Sequence, residues 1–470
     1  MSEKKYHFIG IGGAGMSVVA QLFVERGWQL SGSDQADSAN LSRLKELGVE
    51  CWVGTQPQKI TPEMTIVYSS AIRPSNPEFA AAKAAGCRFM HRSEALALAA
   101  EDRKFVAVAG AHGKTTTSGM LAQTFSQLGA DPSFAVGGVV THYQTGAHLG
   151  KGEYFIAEAD ESDCSFLNYR PQLAIITNIE ADHLDNYGSP EQFARAFFDF
   201  AHCIKPGGTL IICTDDPGCR TLLRQLRPQG ALAENSSLKI RILGYGLQAP
   251  PAGLDDFCLV KALPSEANSV SVQFNRGQES TTVSLPMPGV HNLLNAAAVF
   301  LAAHIAGFSA TETAGALAGF EGTARRFETK GEVGGVRVID DYAHHPTEVA
   351  ALMRQAREAA GKGRVLVVFQ PHLYSRTKNF ASRFAVALDL ADRAVVCDIY
   401  GAREDPLPGV TSRIITDKMQ RGSYVADKDE AARLIANEAR GSDLILTVGA
   451  GDITKATAVI LAVLKQRFSQ

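Results

Sequence analysis

A run of glycines near the amino terminus constrains the fold more than any other feature of this chain. The sequence YHFIGIGGAGMSVVAQLF places an apolar run before Gly10, Gly12, Gly13 and Gly15 and a helical pattern after them. A G-x-G-x-x-G turn between a strand and a helix is typical of loops that bind a pyrophosphate. Asp34 follows, about 20 residues on, where a dinucleotide-binding fold has its ribose partner. One interpretation of this stretch is therefore a nicotinamide-dependent oxidoreductase.

A second glycine turn, in FVAVAGAHGKTTT, changes that interpretation. Gly110 ends an apolar run, Gly113 precedes Lys114, and a helical pattern begins with the threonines Thr115 and Thr116. Backbone N–H groups of such a turn can hold phosphates, the lysine can reach the β and γ phosphates, and the first threonine can bind Mg²⁺. The turn is shorter than a standard phosphate loop, and a plain glycine turn before a surface lysine is the simpler alternative. The coincidence of strand, turn and helix favours a nucleoside triphosphate loop. Hydride transfer does not use one, whereas an ATP-driven ligase acting on a nucleotide-linked substrate needs both loops.

Acidic clusters support the ATP interpretation. The segment IAEADESDCSF carries Glu158, Asp160, Glu161 and Asp163 after an apolar run, and TNIEADHLDNYG carries His183. Magnesium on a triphosphate needs one or two carboxylates, with water at the remaining positions. A solvated acidic loop is the alternative, and it fits poorly for Glu158, which directly follows FIA.

The hydrophobic pattern indicates parallel α/β architecture. Apolar runs of strand length alternate with longer helical patterns over most of the chain. We predict three domains, at residues 1–103, 104–322 and 323–470. The hydrophobic pattern changes between residues 229 and 288, where short alternating segments predict an antiparallel insertion on the central sheet.

Composition excludes several other classes. The 46 Lys and Arg residues are balanced by 49 Asp and Glu residues, so we expect no nucleic-acid partner. The eight cysteines form no C-x-x-C pair, which is typical of reduced thiols. No apolar run is long enough to cross a membrane, and four glycines interrupt the one near the start. We therefore expect a cytoplasmic globular protein without membrane insertion.

These motifs resemble those of the Mur ligases, the ATP-dependent amide-forming enzymes of peptidoglycan precursor synthesis. The resemblance covers essentially the whole chain, through GIGGAGM, SGSD, SSAI, AGAHGKTTT, AEADESD, TNIEADHLD, PGVHNLLNA, GTARRFE, DDYAHHPTE, FQPHLYSRT and VGAGDI. It implies an N-terminal Rossmann-like UDP-binding domain, a central P-loop ATPase domain with a mainly parallel sheet, and a C-terminal Rossmann-like domain. Within the family, the chain is most similar to the alanine-adding members. That similarity implies ligation of L-alanine to the lactyl carboxylate of UDP-N-acetylmuramate through an acyl phosphate.

The resemblance also implies roles for individual residues. The sugar nucleotide would contact the two loops and nearby positions, namely Gly12, Gly13, Ala14, Gly15, Asp34, Ser69 and Ser70. ATP would contact Gly110, Gly113, Lys114, Thr115, Thr116, Asn292, Asn295, Arg326 and Asp341. Thr115, Glu158 and His183 would bind metal ions, Mg²⁺ or alternatively Mn²⁺. The amino-acid side of the cleft would be lined by Tyr342, His344, His345, His372 and Arg376. Lys114, Glu158, His183, Arg326 and His344 are the candidate catalytic residues.

The chain departs from the family pattern at two positions. Several members carry a carbamylated lysine about 14 residues after the histidine of the D-H motif, whereas this chain has Phe197. The alanine-adding members manage without that lysine. Leu373 occupies a position where relatives often have arginine, so Arg376 is expected to carry more of the anion binding.

Three alternatives remain open at this point. A recycling ligase adds a tripeptide to the same nucleotide, and its glycine loop tends to be bulkier than GIGGAGM. An NAD-dependent oxidoreductase would leave the GKTTT turn unexplained, and a nucleotide-binding switch would bind without turnover. The oligomeric expectation is a monomer or a weak homodimer.

Overall fold

The described part of the chain contains three β-sheets, distributed over two compact units. The structure, a computed structural model, describes residues 5–182, 184–228, 238–264, 270–402 and 404–468. The first unit holds two sheets and continues to Glu321, and the second holds the third sheet from Gly322 onward, together with Ser284–Asn292. Within the described ranges, no helix combines the length and the apolar character that a bilayer crossing requires.

The first sheet is a parallel sheet of five strands in the order β3-β2-β1-β4-β5. Its elements are β1 (Lys5–Ile9), α1 (Ala14–Glu25), β2 (Gln29–Asp34), α2 (Ala39–Glu46), β3 (Glu50–Val53), β4 (Met64–Tyr68), α3 (Pro77–Ala85), β5 (Arg88–His91) and α4 (Arg92–Ala99). The chain passes from β1 to one side of the sheet and then returns to the other side through β4. Ligands of such sheets bind at this reversal, beyond the carboxyl ends of the strands. The loops after β1 and β4 therefore lie where a nucleotide is expected.

A buried carboxylate is hydrogen-bonded to the strand that lies beside the first glycine loop. Glu78 on α3 is fully buried and accepts hydrogen bonds from the Ser33 hydroxyl, the Trp52 indole N–H at 3.0 Å and the Gln56 backbone N–H at 2.8 Å. The His7 ring lies 3.5 Å from the same group. Desolvation raises the pKa of Glu78, but these hydrogen bonds outweigh it and lower the pKa to about 2. The folded protein therefore stabilises the charged form of Glu78.

The Glu78 network predicts a specific loss of stability in acid. A carboxylate with a lowered folded-state pKa contributes stability above its unfolded-state pKa, and that stability disappears as the pH falls through the folded value. The contribution here is at most about 3 kcal/mol. In urea unfolding, we expect Glu78→Gln to be destabilised at pH 7, with the difference from the parent shrinking between about pH 5 and pH 2. Glu50→Gln, which removes an exposed carboxylate, is the control and should change little. A Glu78→Gln deficit that does not vary with pH would contradict the assignment.

The second sheet has ten strands, and its centre is deeply buried. The order is β15-β14-β13-β12-β11-β10-β6-β9-β7-β8. Its elements are β6 (Lys104–Ala109), α5 (Lys114–Gln127), β7 (Ser133–Val140), β8 (Thr145–His148), β9 (Tyr154–Glu158), β10 (Leu173–Ile176), α6 (Leu184–Tyr187), α7 (Pro190–His202), β11 (Thr209–Cys213), α8 (Pro217–Leu226), β12 (Arg241–Gly246), β13 (Asp256–Leu263), β14 (Val270–Arg276), β15 (Glu279–Leu285), α9 (Val290–Ile305) and α10 (Ala310–Ala318). Strands β10 and β11 are buried at every position, as expected for parallel strands covered on both faces.

The predicted antiparallel insertion between residues 229 and 288 is wrong for its first two strands. Strand β12 pairs in parallel with β11, and β13 pairs in parallel with β12, so both extend the parallel ladder. Five of the six residues of β12 are buried, which its short alternating pattern concealed. The pairing depends on the neighbouring strand of the sheet, which the local residue pattern of β12 does not encode.

The third sheet has six strands in the order β16-β17-β21-β18-β19-β20. Its elements are β16 (Glu328–Val333), β17 (Val336–Asp341), α11 (Pro346–Ala360), β18 (Val365–Phe369), α12 (Tyr374–Leu388), β19 (Arg393–Val396), α13 (Arg413–Thr416), β20 (Gly422–Tyr424), α14 (Lys428–Glu438), β21 (Leu444–Val448) and α15 (Ala456–Phe468). Only β16 pairs antiparallel, with β17, and the other pairs are parallel. The predicted α/β class, with three sheet-containing domains and a mainly parallel central sheet, is confirmed.

Candidate active site

The first glycine loop is tied to the strand beside it. The backbone N–H groups of Gly10 and Ile11 both donate to the Ser33 carbonyl, at 2.8 and 2.9 Å. Gly12 donates its N–H to Asp34 Oδ2 at 2.8 Å. Helix α1 begins at Ala14, so its free N–H groups and the turn face the same edge of the sheet. This arrangement suits a diphosphate.

Asp34 holds the loop in the structure. Its Oδ2 accepts from Gly12, and its Oδ1 lies 3.4 Å from the backbone N–H of Ala36. The carboxylate that resembled a ribose partner is therefore already engaged with the protein's own backbone. Direct contact between Asp34 and a ligand stays a prediction.

Ser69 and Ser70 follow β4, which is paired with β1, so they lie beside the glycine loop. The hydroxyl of Ser70 donates to Asp163 Oδ2 in the acidic segment after β9. The loop after β4 is thus linked to the second sheet by this hydrogen bond.

The second glycine turn is narrow because two other segments pass close to it. Gly110 has φ +133°, and a Cβ there would lie 3.1 Å from the Asn178 backbone N, in contact with Thr177. Only glycine is compatible with both this positive φ and the close approach of Thr177 and Asn178. Gly113 precedes α5, and a Cβ on it would lie 3.0 Å from Asn295 Oδ1. The turn and the start of α5 lie at the carboxyl end of β6, where the backbone N–H groups of a helix start can bind a phosphate.

Lys114 is the first residue of α5, and its ammonium group is held by a buried carboxylate. Its Nζ donates to Glu161 Oε1 at 2.7 Å and to the Gly110 carbonyl at 2.6 Å. The Glu161 side chain is 2% exposed and the Lys114 side chain 17% exposed. Desolvation lowers the pKa of Lys114, but the carboxylates of Glu161, Asp160 and Glu158 outweigh it and raise the pKa. The lysine therefore keeps its charge at the turn.

Thr115 and Glu158 both lie against a pair of glycines in β7. Glu158 Oε1 accepts from the Gly137 N–H at 2.8 Å, and a Cβ on Gly137 would lie 3.2 Å from its Oε2. A Cβ on Gly138 would lie 2.9 Å from the Thr115 methyl group. The two glycines therefore allow β7 to approach the Thr115 methyl group and the Glu158 carboxylate closely. A threonine hydroxyl and a carboxylate are oxygen donors of the kind that Mg²⁺ prefers. Thr116 is buried behind Thr115.

An arginine that the sequence analysis missed joins the first glycine loop to the acidic segment after β9. Arg92, the first residue of α4, donates to Asp160 Oδ2 at 3.0 Å. Its Nη1 would be 2.6 Å from a Cβ on Gly15, so the guanidinium packs against the start of α1. Desolvation raises the pKa of Asp160, but Arg92 and Lys114 hold it below its usual range. Because Arg92 and Asp160 are 68 positions apart, no local pattern indicated the pair.

His183 lies outside the described residues, whereas its neighbours are described. Asp182 is buried, and Glu180 Oε2 lies 3.2 Å from the His112 ring Nε2. His112 also donates its backbone N–H to Asn178 Oδ1 at 2.9 Å. The segment after β10 therefore stays next to the turn that follows β6.

Two asparagines of α9 were predicted to recognise adenine. Asn295 approaches Gly113, as described above. Asn292 is buried and donates its side-chain N–H to the Pro288 carbonyl at 2.7 Å. The structure brings Asn295 to the phosphate turn, and adenine recognition stays a prediction for both.

In the second compact unit, Asp341 ends β17 as a buried carboxylate. It accepts from the backbone N–H groups of Phe327 at 2.7 Å and Ala343 at 2.8 Å. Desolvation raises its pKa to about 6, although the nearby Arg326 opposes this shift. Arg326 lies over the Tyr342 ring, with its guanidinium carbon 5.2 Å from the ring centroid. Arg326, Asp341 and Tyr342 thus form one group at the carboxyl end of β17.

An aromatic and histidine cluster lies at the neighbouring strand end. The His344 ring is 5.4 Å from Tyr342 and 5.9 Å from His372, between ring centroids. Arg376 Nη1 lies 3.5 Å from His372 Nδ1. Tyr400, which the sequence analysis missed, stacks on His372 at 5.8 Å. Four predicted residues are therefore brought together with one unpredicted residue.

His345 is not part of this aromatic and histidine cluster. It is fully buried, accepts from the Thr347 N–H through its Nδ1 at 3.4 Å, and begins α11 as its N-cap. A structural role in capping is evident, and a contact with substrate stays a prediction.

Three family models match successive parts of the chain. The Mur ligase family catalytic domain matches residues 5–104, the Mur ligase middle domain matches residues 108–303, and the Mur ligase glutamate ligase domain matches residues 325–451. The chain belongs to the Mur ligase family. The predicted resemblance is confirmed.

Curated relatives of this Mur ligase cover nearly its full length. A protein from Renibacterium salmoninarum named UDP-N-acetylmuramate--L-alanine ligase is 47% identical over 460 residues, which cover 97% of this chain and 95% of the relative. A protein of the same name from Cutibacterium acnes is 43% identical, over 98% of this chain and 96% of the relative. Among solved structures, UDP-N-acetylmuramate-alanine ligase from Thermotoga maritima superimposes with a TM-score of 0.79 at 26% identity, covering 99% and 100% of the two chains.

The two departures from the Mur ligase pattern have structural counterparts. Phe197 is fully buried on α7, with its ring 5.5 Å from Phe166 and 5.2 Å from Phe193. Phe197 therefore belongs to an apolar core and offers no amine for such a modification. Leu373 is buried, has φ +71°, and precedes α12. Arg376 follows it within the first turn of that helix.

Proposed function

We propose that the protein joins L-alanine to the lactyl carboxylate of UDP-N-acetylmuramate at the expense of ATP. The products are UDP-N-acetylmuramoyl-L-alanine, ADP and phosphate, in peptidoglycan precursor synthesis. The observation that carries this proposal is the pair of phosphate-type glycine loops at the carboxyl ends of β1 and β6 within one compact unit. The high identity to proteins named for this reaction supports the choice of substrates.

Each loop takes one nucleotide in this proposal. The sugar-nucleotide diphosphate lies on the loop from Gly12 to Gly15, near Asp34, Ser69 and Ser70. The ATP phosphates lie on the turn from Gly110 to Thr116, with Lys114 and Arg326 on the γ-phosphate side. Asn292 and Asn295 recognise adenine, and Asp341 contacts the ribose. Tyr342, His344, His345, His372 and Arg376 line the amino-acid side.

The reaction takes place in two transfers. A lactyl carboxylate oxygen attacks the γ-phosphorus, the bond to the bridging oxygen breaks, and ADP leaves. The alanine amine then attacks the acyl carbon and phosphate departs, while the amine loses a proton. Lys114 and Arg326 stabilise the negative charge on the transferring group. His344, whose Nδ1 lies 3.1 Å from the Tyr342 carbonyl, is the candidate proton acceptor.

Thr115 and Glu158 would hold one metal ion beside the ATP phosphates, and His183 would bind a second metal ion near the reacting carboxylate. Mg²⁺ at this position would shield the phosphate charge. Glu158 ends β9, the strand paired with β6, and Thr115 lies in the first turn of α5, which follows the turn after β6, and this placement supports the assignment.

Phosphate release tests the proposal directly. With ATP and Mg²⁺, we expect release that requires both UDP-N-acetylmuramate and L-alanine, with glycine, L-serine and the recycling tripeptide supplied separately for comparison. Release with the tripeptide alone would assign the protein to recycling. The absence of phosphate release with every acceptor would refute ligation. The nicotinamide and switch interpretations would then be open again, and measurements of NAD and UDP binding would distinguish them.

Removing the Glu158 carboxylate should raise the Mg²⁺ requirement. Glutamine retains an oxygen that can accept from the Gly137 N–H, so we expect Glu158→Gln to fold normally. It loses a charged ligand, and the Mg²⁺ concentration for half-maximal phosphate release should rise at least about tenfold. Mn²⁺ is titrated in parallel. Glu153→Gln, an exposed carboxylate next to β9, is the control. An unchanged Mg²⁺ dependence would remove Glu158 from the metal site.

The proposal includes a cytoplasmic location, where sugar nucleotides and ATP are available, and a monomer or weak homodimer. It also retains domain boundaries near residues 103 and 322, which the spans of the family models support.

A further inference from the structure

The first compact unit has a cleft that lies away from the glycine loops. Its volume is about 440 Å³, and its walls come from β5, the last turns of α4, the start of β6 and the segment around Tyr169. Arg88 begins β5 and Phe105 is the second residue of β6. Both therefore lie at the amino ends of their strands, whereas the glycine loops follow the carboxyl ends of β1 and β6. The cleft lies on the opposite edge from the proposed catalytic loops.

The floor of the cleft is apolar. It includes Phe89, Met90, Leu98, Phe105 and Tyr169. The Phe105 and Tyr169 rings are 5.2 Å apart between centroids, and both residues are buried. A ring or short alkyl chain can therefore pack there without contact with charge.

The rim of the cleft carries excess positive charge. Four cationic side chains line it, Arg88, Arg103, Arg170 and Lys205, against two carboxylates, Glu94 and Glu101, which leaves an excess of two positive charges. Glu94 already accepts from the His91 N–H at 2.7 Å.

Two of these cations are engaged with the protein and two are available. Arg103 donates to the Gly152 carbonyl, and Arg170 donates to the carbonyls of Leu167 and Tyr169 at 2.8 and 2.7 Å. The exposed side chains of Arg88 and Lys205 have neither a hydrogen bond nor an ion pair with any residue that the structure describes. Uncommitted cations above an apolar floor are the elements of an anion site.

We propose that this cleft binds a small organic anion and thereby changes the affinity of the first glycine loop for its nucleotide. The apolar part of the ligand packs on the floor, and its carboxylate, phosphate or sulfonate group is held by Arg88 and Lys205. Helix α4 provides the connection, because Leu98 near its end lines the cleft while Arg92 at its start contacts Gly15 and Asp160. A ligand that shifts α4 would therefore move Arg92.

Phenyl phosphate is the probe for the binding half of the proposal. Isothermal titration is run with UDP and Mg–ADP present to occupy the two loops, and with inorganic phosphate and phenol as the separate halves of the probe. We expect saturable binding of phenyl phosphate that is at least about tenfold weaker in Arg88→Gln/Lys205→Gln, because two charge-assisted hydrogen bonds are lost. Lys83→Gln/Lys151→Gln removes two exposed lysines outside the cleft and should bind like the parent. Absent binding, or equal binding in both double variants, would overturn the site. This comparison remains decisive even if the proposed reaction fails.

The proposed coupling between the cleft and the first glycine loop is tested by a separate measurement. The UDP dissociation constant is measured with and without saturating phenyl phosphate, and we expect a change of at least about fivefold. The change should vanish in Arg88→Gln/Lys205→Gln, which excludes direct competition at the glycine loop. A UDP dissociation constant that the probe leaves unchanged would overturn the coupling.

Discussion

Lys114→Met is expected to lower the rate of phosphate release at least about a thousandfold and also to destabilise the first compact unit. The loss of rate follows from removing the cation that stabilises the transferring phosphate. The loss of stability has a separate cause, because the buried carboxylate of Glu161 loses the ammonium group 2.7 Å away. Breaking a buried pair on one side costs about 3 kcal/mol. Phosphate release and urea unfolding measure the two effects independently.

A second substitution separates these two effects. Lys114→Met/Glu161→Gln removes the uncompensated charge, so we expect stability to recover while the rate stays low. Lys151→Met, an exposed lysine in the same part of the fold, is the control for both measurements. If the double variant regained activity, Lys114 would serve only to neutralise Glu161, and the proposed contact with ATP would be wrong.

Gly15→Ala is expected to lower kcat/KM for the sugar nucleotide by about tenfold to a hundredfold. The new methyl group would lie 2.6 Å from Arg92 Nη1, so the guanidinium must move. Its ion pair with Asp160 then lengthens, and Asp160 lies between the proposed metal ligand Glu158 and the lysine partner Glu161. A substitution on the first loop should therefore also raise KM for ATP. Initial rates with each substrate varied in turn measure both constants.

Gly315→Ala is the matched control for that experiment. It lies within α10 with no atom within 4 Å of its added Cβ, so the substitution should stabilise the fold by up to about 1 kcal/mol and leave both KM values unchanged. A double-mutant cycle of Arg92→Met and Asp160→Asn should give a coupling of about 1 kcal/mol. A Gly15→Ala enzyme with parental KM values would show that Arg92 does not support the loop.

The glycine turns could be predicted from sequence because their determinants are local. Strand, glycine spacing and helix start lie within about fifteen residues in each case, and the structure forms both turns after β1 and β6. Likewise, Glu158 was predicted because an apolar run precedes it. Such features depend on backbone conformation that neighbouring residues impose.

The partners of these loops could not be predicted in the same way. Arg92 meets Asp160 only because the first two sheets pack together, and Glu161 meets Lys114 only because β9 pairs with β6 in the second sheet. Asp34 matched a ribose partner by its spacing, but it accepts from the Gly12 N–H, which spacing alone cannot reveal. The same limitation applies to β12, whose parallel pairing with β11 depends on a separate strand, and to Tyr400, whose place beside His372 depends on the third sheet.

The phenylalanine core around Phe197 has a consequence for the cell. A lysine is carbamylated by dissolved carbon dioxide, so an enzyme that relies on such a group works only when enough of that gas is present. Phe197 has no amine, and its ring is packed between Phe166 and Phe193. We therefore expect the rate of the proposed reaction not to depend on dissolved carbon dioxide through that position.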